Sequence, residues 1–263
     1  MHSSELSRVV DAAWLAEHLD DDGVVVGDVR GPNAHMRGHI PGSRPLVLGS
    51  PPPGADDETV AELAKEVALR LRRHGITGEE TLVLVDRGDG VGAMPAAQLA
   101  ELAGHPRVAI LLGGIAGWPG ELAQGAVVLE PVREASLTPD PHAFPTRQEL
   151  SSRLDDPSLT ILDVRREDEY TGRGGSACDP RQGHIPGARR LQVDELYAPD
   201  GRPKPPEEIR ALVGDAEEVV AYCHSGSRSA LATLALRSAG YDARNYAGSW
   251  HEWSRHLELP IER

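Results

Sequence analysis

The sequence predicts an α/β protein of two tandem domains, each with a mainly parallel sheet flanked by helices. Three observations carry this prediction. Short apolar segments typical of buried strands alternate with segments that have an apolar stripe at helical spacing. The same order of motifs occurs twice within 263 residues, which indicates an internal duplication. A proline-rich stretch between the copies is typical of an extended linker.

The first copy contains strands and helices in alternation. They are a helix over 15–20, a strand over 23–30, a helix over 58–73, a strand over 81–85, a helix over 96–103 and a strand over 108–112. The second strand ends at Asp86, and a glycine-broken loop over 87–92 follows it. Because ligands bind beyond the carboxyl ends of parallel strands, we expect the functional residues after these strand ends.

The second copy repeats four features of the first in the same order. They are a D-V-R strand at 159–165, a G-H-I-P-G turn at 183–187, a loop-bearing strand at 219–223 and a glycine-to-tryptophan ending at 248–253. Their separations from the first copy are 135, 145, 137 and 135 residues, so a ten-residue insertion precedes the second turn. We predict domains at 1–125 and 144–263, joined by a linker at 126–143.

The composition is that of an acidic globular protein. With 27 basic against 41 acidic side chains the net charge is −14. An acidic chain without a basic stripe is a poor partner for nucleic acid or for an anionic membrane surface, so we expect neither. Positive charge for an anionic substrate must therefore be supplied locally.

The N terminus and the cysteine content predict a cytoplasmic protein. Met1–Arg8 lacks the basic start and apolar core of a signal peptide. No apolar run approaches the roughly 20 residues that span a bilayer. Two cysteines, Cys178 and Cys223, do not make a disulfide framework and suit a reducing compartment.

The stretch around Cys223 predicts a reactive thiol. An apolar strand ends at this cysteine, a polar loop with one glycine follows, and an apolar helix comes next over 230–236. Loop amides and the positive end of the helix dipole favour a thiolate. An unperturbed thiol is only about 3% ionised at pH 7. The alternative is an inert buried cysteine, but the residues after Cys223 are polar. The first copy has Asp86 at this position, so the chemistry is expected in the second domain alone.

Together these motifs resemble the tandem-domain rhodanese family of sulfurtransferases over nearly the whole chain. The resemblance rests on the two D-V-R strands, the two G-H-I-P-G turns, the single cysteine loop and the ending at 248–262. It implies two rhodanese-like domains and a ping-pong reaction. Cys223 would take the outer sulfur of thiosulfate or 3-mercaptopyruvate, hold it as a persulfide and pass it to cyanide, a thiol or a protein acceptor. Converging loop amides can stabilise these anions, so we expect no cofactor and no metal.

The predicted donor-binding residues are the loop and two arginines. An arginine binds an anionic donor and stabilises the departing sulfite or pyruvate. Arg228 is the first candidate and Arg181, in the insertion, is the second; for both, the alternative is a surface charge or a structural ion pair. The remaining predicted site residues are His224, Ser225, Gly226 and Ser227. A cationic loop suits a dianion, so thiosulfate is the predicted donor and 3-mercaptopyruvate the alternative.

Several other residues are assigned structural roles. His39 and His184 occupy matching turns, one of them in the domain without a cysteine, so we expect them to support the fold. The acid and arginine of each D-V-R strand, Asp28 with Arg30 and Asp163 with Arg165, are expected to pair. Whether His39 and Asp28 face the site stays open. Cys178 is interpreted as an incidental loop cysteine rather than a resolving one, and Cys178-x5-His184 lacks further metal ligands nearby in the sequence.

Two other functions compete with sulfur transfer. Cysteine phosphatases and arsenate reductases place five residues between the cysteine and the arginine of an oxyanion-binding loop. Only four residues separate Cys223 from Arg228, which favours a smaller sulfur centre. A non-catalytic sulfur carrier would keep the same cysteine and stays open.

Overall fold

Two separate sheets of parallel strands form the frame of the protein in the computed structural model. The structure describes residues 9–49, 56–90 and 92–263. The first unit runs to Pro141 and the second from His142 to Arg263, with residues 56–60 grouped with the second. The predicted α/β class with two parallel sheets is confirmed.

The first unit has a sheet in the strand order β1-β5-β4-β2-β3. Its central strand β4 is buried along its whole length, which explains its unbroken T-L-V-L-V sequence. Its strands are β1 Val9–Val10, β2 Val24–Asp28, β3 Arg44–Pro45, β4 Thr81–Val85 and β5 Val108–Leu111. Its helices are α1 Ala12–His18, α2 Pro32–Arg37, α3 Asp57–Arg73, of which residues 61–73 are grouped with this unit, and α4 Ala93–Leu102.

The second unit has a sheet in the strand order β7-β6-β8-β9. The side chains of Val219 and Ala221 on β8 pack in one core cluster and that of Val220 in another, so β8 is buried on both faces. Its strands are β6 Leu159–Asp163, β7 Arg189–Arg190, β8 Glu218–Tyr222 and β9 Asp242–Asn245. Its helices are α5 Arg147–Ser152, α6 Glu167–Tyr170, α7 Pro206–Val213, α8 Ser227–Ser238 and α9 Ser249–Trp253.

Matching backbone hydrogen bonds support the duplication. The N–H of Ile115 donates to the carbonyl of Asp86 at 2.9 Å, and the N–H of Trp250 donates to that of Cys223 at 3.0 Å. In both units the glycine-to-tryptophan ending therefore packs against the residue that follows the long central strand.

The helix after Cys223 begins earlier than predicted. Its first residue is Ser227 rather than Ala230, so Ser227 and Arg228 lie in the first helical turn and not in a loop. Gly226 turns the chain into the helix with a φ of 90°. Small polar residues are common at helix starts, which is why this turn resembled a loop in the sequence. The helix stops at Ser238, two residues before Gly240, whose φ of 89° is typical of a glycine that follows a helix end.

The predicted linker is hydrogen-bonded to the first unit through its backbone. Backbone N–H groups of Val132, Ser136 and Asp140 donate to carbonyls of residues 72, 77 and 102. The domain limits 1–125, 126–143 and 144–263 stay a prediction.

Within the described ranges, no helix combines the length and the apolar character that crossing a membrane requires. Met1–Arg8, on which the signal-peptide argument rested, and Val91 of the first-copy loop lie outside the described residues.

Candidate active site

Cys223 directly follows the last residue of β8. The residue is buried, with 2% of its surface exposed. Its Sγ accepts a hydrogen bond from the N–H of Gly226 at 3.2 Å and from the hydroxyl of Ser229 at 3.4 Å. Helix α8 starts immediately afterwards, so its positive end also faces this loop. All three features direct hydrogen-bond donors or positive potential at the sulfur.

Only glycine fits at position 226. Its backbone φ of 90° is one that residues other than glycine rarely adopt. A Cβ atom at this position would lie 2.7 Å from the carbonyl oxygen of Ala247. The loop curvature that directs the 226 amide at Sγ therefore depends on this residue. Ser225 in the same loop is exposed, and Ser227 is half-buried at the first position of α8.

Ser249 is a site residue that the sequence analysis missed. Its hydroxyl oxygen accepts the N–H of Cys223 at 3.1 Å, donates to the carbonyl of Tyr246 at 2.8 Å and lies 4.0 Å from Sγ. Its φ of 54° is in the left-handed region, where non-glycine residues are strained. The first unit has Gly114 here, with a φ of 50°. The sequence did contain a signal for this residue, because the second copy has Ser249 where the first copy has Gly114.

Arg228 is directed at Glu169 of α6. Two hydrogen bonds of 2.8 Å join its guanidinium to the two carboxylate oxygens. These bonds raise the pKa of Arg228, burial opposes them, and the charge of Cys223 adds to the rise. Burial alone would raise the pKa of Glu169, but Arg228 outweighs it and lowers that pKa to about 2. The geometry favours an ion pair that also stabilises the thiolate; direct donor binding by Arg228 stays a prediction.

Arg181 is engaged with the backbone. Its guanidinium donates to four carbonyl oxygens near the C terminus, those of Trp253, Ser254, His256 and Leu259, at 2.6–3.0 Å. These bonds fasten the insertion to the C-terminal segment. This geometry favours a packing role for Arg181, and its predicted donor binding stays a prediction.

The insertion brings other residues to the loop instead. Asp179, buried at the insertion, places Oδ2 3.1 Å from Nε2 of His224, whose side chain is 27% exposed. His251 of α9 donates to Oδ1 of the same carboxylate at 3.0 Å. The exposed Cys178 has Sγ 3.9 Å from His224 Nε2 and 3.7 Å from His251 Nδ1. Separations of 46 and 73 residues along the chain hid this grouping from the sequence analysis.

The turn histidines make similar contacts in both units, a hydrogen bond to a backbone carbonyl and a stacked ring. His184 donates from Nδ1 to the carbonyl of Tyr170 at 2.9 Å and stacks on that ring with centroids 3.7 Å apart. His39 donates to the carbonyl of His35 at 2.8 Å and stacks on it at 3.7 Å. Since one unit has no cysteine, this arrangement favours the structural role.

The expected ion pairs of the D-V-R strands are confirmed. Arg165 Nη2 lies 2.6 Å from Asp163 Oδ2, and Arg30 Nη2 lies 2.6 Å from Asp28 Oδ2. The hydroxyl of Tyr222 also donates to Asp163 Oδ2 at 2.7 Å. This buried network holds the strand that leads into Cys223.

In the first unit a carboxylate occupies the place of the thiol. Asp86 is buried and accepts N–H groups of Gly88 at 2.8 Å and of Gly92 and Ala93 at 3.2 Å. The loop amides thus bind the chain's own anion, and this loop has no sulfur nucleophile.

Comparisons with known proteins agree on one family. The family model described as "Rhodanese-like domain" matches residues 11–121 and 146–256. A probable 3-mercaptopyruvate sulfurtransferase of Pseudomonas aeruginosa is 30% identical, over 97% of this chain and 98% of the relative. A thiosulfate sulfurtransferase of Corynebacterium glutamicum is 29% identical, over 97% and 90%.

A solved structure has the same fold. The anaerobic ergothioneine biosynthesis enzyme of Chlorobium limicola superposes with a TM-score of 0.78 over 97% of this chain and 70% of its own. At 24% identity this likeness concerns the fold alone.

Proposed function

Because the chain belongs to the rhodanese-like domain family, with domains matched at 11–121 and 146–256, we propose that it transfers sulfane sulfur through a persulfide on Cys223. The family expected from the sequence motifs is confirmed. Thiosulfate is the proposed donor, and cyanide or a thiol the acceptor.

The observation that carries the proposal is the environment of Cys223 Sγ. An amide N–H, a serine hydroxyl and the start of a twelve-residue helix converge on one buried sulfur. Such groups stabilise a thiolate before the reaction and a persulfide anion after it. The matching place in the first unit already contains the Asp86 carboxylate, so we assign the chemistry to the second unit.

The reaction needs two displacements at sulfur. The Cys223 thiolate attacks the outer sulfur of thiosulfate, the S–S bond of the donor breaks, and sulfite leaves with the bonding electrons. The new Cys223 persulfide is then attacked at its terminal sulfur by cyanide, which gives thiocyanate and regenerates the thiolate. Charge and atoms balance without an oxidant or reductant.

Thiosulfate and 3-mercaptopyruvate differ in what they need from the site. Thiosulfate releases a stable dianion and needs only positive charge nearby. With 3-mercaptopyruvate, the proton of its thiol must reach the carbon that becomes the methyl group of pyruvate. The guanidinium of Arg228 supplies positive charge near Cys223, and for this reason we keep thiosulfate as the proposed donor and 3-mercaptopyruvate as the alternative.

The competing phosphatase and arsenate reductase functions receive less support. Those reactions need an arginine that wraps a tetrahedral oxyanion, whereas both terminal nitrogens of Arg228 bind Glu169. We retain the cytoplasm as the proposed location, because both cysteines are free thiols.

Mass spectrometry tests the persulfide. After incubation with thiosulfate, the peptide containing Cys223 should gain one sulfur atom, and cyanide should remove it. The Cys178→Ser variant serves as the matched control and should keep the adduct on Cys223. Cyanide-dependent turnover that persists in Cys223→Ser would contradict the proposal.

Steady-state kinetics separate the remaining alternatives. We expect a higher kcat/KM with thiosulfate than with 3-mercaptopyruvate, and no hydrolysis of an aryl phosphate. The reverse donor preference would make 3-mercaptopyruvate the substrate without removing Cys223 from its role. A persulfide that forms once but reaches no small acceptor would identify a sulfur carrier.

A further inference from the structure

Four side chains with metal-binding atoms meet beside the Cys223 loop. They come from three segments of the second unit: Cys178 and Asp179 from the insertion, His224 from the loop and His251 from α9. We refer to these four residues as the Cys178 cluster. One ligand atom from each lies within 4.8 Å of the others.

The separations approach those of a tetrahedral metal site. Zinc bonds of 2.0–2.3 Å require ligand atoms about 3.3–3.8 Å apart. The Sγ of Cys178 lies 3.9 Å from His224 Nε2 and 3.7 Å from His251 Nδ1. Carboxylate oxygens of Asp179 lie 3.1 Å and 3.0 Å from the same two nitrogens. Since one ligand atom from each residue lies within 4.8 Å of the others, shifts of at most about 1 Å would complete the geometry.

One buried oxygen of the Asp179 carboxylate could bind a cation. Its side chain is only 1% exposed. Oδ2 lies near His224 but has no hydrogen-bond partner of acceptable geometry among the described residues. An ion bound between the two would satisfy this oxygen, whereas a buried polar atom left without a partner is costly.

The charges around the cluster permit a divalent ion. Arg255 is the cation at its edge, donating to Asp179 Oδ1 at 3.2 Å and to the carbonyl of Cys178 at 2.8 Å. One thiolate and one carboxylate leave a net charge of −1 after this arginine is counted. Arg255 approaches Oδ1 and not Oδ2, so it orients the carboxylate without closing the space beside His224.

We propose that the Cys178 cluster binds one Zn²⁺ ion. One sulfur, two imidazole nitrogens and one carboxylate oxygen form a donor set that suits a borderline metal, and all four can adopt tetrahedral coordination. The sequence argument against a metal considered His184, which instead contacts Tyr170 and Glu262. Since His224 directly follows Cys223, the ion would fasten the insertion to the active-site loop. The binding itself does not depend on the proposed sulfur transfer.

Spectroscopic titration of the full chain tests this site. The protein is reduced, stripped with a chelator and titrated with Co²⁺, which gives strong visible absorption when tetrahedral and a charge-transfer band when thiolate-bound. We expect one equivalent to bind with both signals, and Zn²⁺ to displace it. Cys178→Ser should abolish the charge-transfer band. Cys178→Ser and His251→Ala should each weaken Zn²⁺ binding at least about tenfold in competition with a chromophoric chelator.

Two control variants locate the ion. Cys223→Ser should keep the cobalt–thiolate band, and His256→Ala, whose partner is Glu258 on the surface, should bind Zn²⁺ as the wild type does. Circular dichroism confirms that each variant is folded. Loss of the band in Cys223→Ser, or unchanged binding in both Cys178→Ser and His251→Ala, would place the metal elsewhere and overturn the proposal. Absence of binding to the wild type would show that the cluster is a hydrogen-bond network only.

Discussion

Glu169 binds both terminal nitrogens of the Arg228 guanidinium, each at 2.8 Å. The Glu169 side chain is 8% exposed and that of Arg228 34%, so the pair is partly shielded from solvent. It joins α6, which follows the D-V-R strand, to the first turn of α8 beside Cys223. An arginine that the sequence offered for substrate binding therefore also connects two elements of the site.

Replacing Glu169 by glutamine should lower stability in a pH-dependent way. Its pKa is lowered from 4.5 to about 2 in the folded protein. The stabilisation is therefore present above pH 4.5 and is lost as the pH falls through about 2. We expect Glu169→Gln to reduce the free energy of unfolding at pH 7 by about 2 kcal/mol, allowing for solvent screening at Arg228. Urea unfolding at pH 7 and pH 3 should show a smaller difference at pH 3.

The double variant with Arg228→Ala provides the control for that experiment. If the pair acts as a unit, the double variant should be little less stable than either single variant. Additive losses, or an equal difference at both pH values, would contradict the ion pair.

Two substitutions at Ser249 should separate strain from hydrogen bonding. Both Ser249→Gly and Ser249→Ala remove the acceptor for the Cys223 N–H. Glycine also relieves the φ of 54°, so we expect Ser249→Gly to be about 1 kcal/mol more stable than Ser249→Ala. Stopped-flow or steady-state assays should show slower sulfur uptake from thiosulfate in both. Equal stability of the two variants would argue against backbone strain.

Removing Arg181 tests its two alternative roles. Because its four hydrogen bonds go to backbone carbonyls, we expect Arg181→Ala to lower the free energy of unfolding by about 3 kcal/mol. The KM for thiosulfate of the folded protein should stay within about twofold, a change below 0.5 kcal/mol. Arg173→Ala, an exposed arginine of the same insertion, is the matched control and should alter neither quantity. A raised KM with unchanged stability would instead support donor binding.

Asp86 should matter for folding and not for chemistry. In the wild type, the N–H groups of Gly92 and Ala93 both donate to Oδ2 of Asp86. In Asp86→Asn one of the two side-chain oxygens is replaced by an NH₂ group, which cannot accept a hydrogen bond. We expect a loss of about 2 kcal/mol in unfolding free energy. Turnover per folded molecule should be unchanged, as measured by thiocyanate formation normalised to the folded fraction. Lost turnover at full stability would mean that the first unit takes part in the reaction.

The sequence by itself determined the architecture and singled out the proposed nucleophile. Strand-like runs such as Thr81–Val85 are buried on both faces, and their alternation with helices leaves little choice but a parallel sheet. Repetition of the D-V-R and G-H-I-P-G motifs established two units, and the contrast between Asp86 and Cys223 located the thiol. Each of these features lies within a short stretch, where residue type and spacing are informative.

Only the tertiary structure decided which side chains surround that thiol. The sequence offered Arg228 in the loop and Arg181 in the insertion as donor-binding charges, but Arg228 is hydrogen-bonded to Glu169 and Arg181 to C-terminal carbonyls. Ser249 and the Cys178 cluster reach the loop from distant segments. Contacts between residues tens of positions apart depend on how the insertion and α9 pack, and local patterns do not encode that packing.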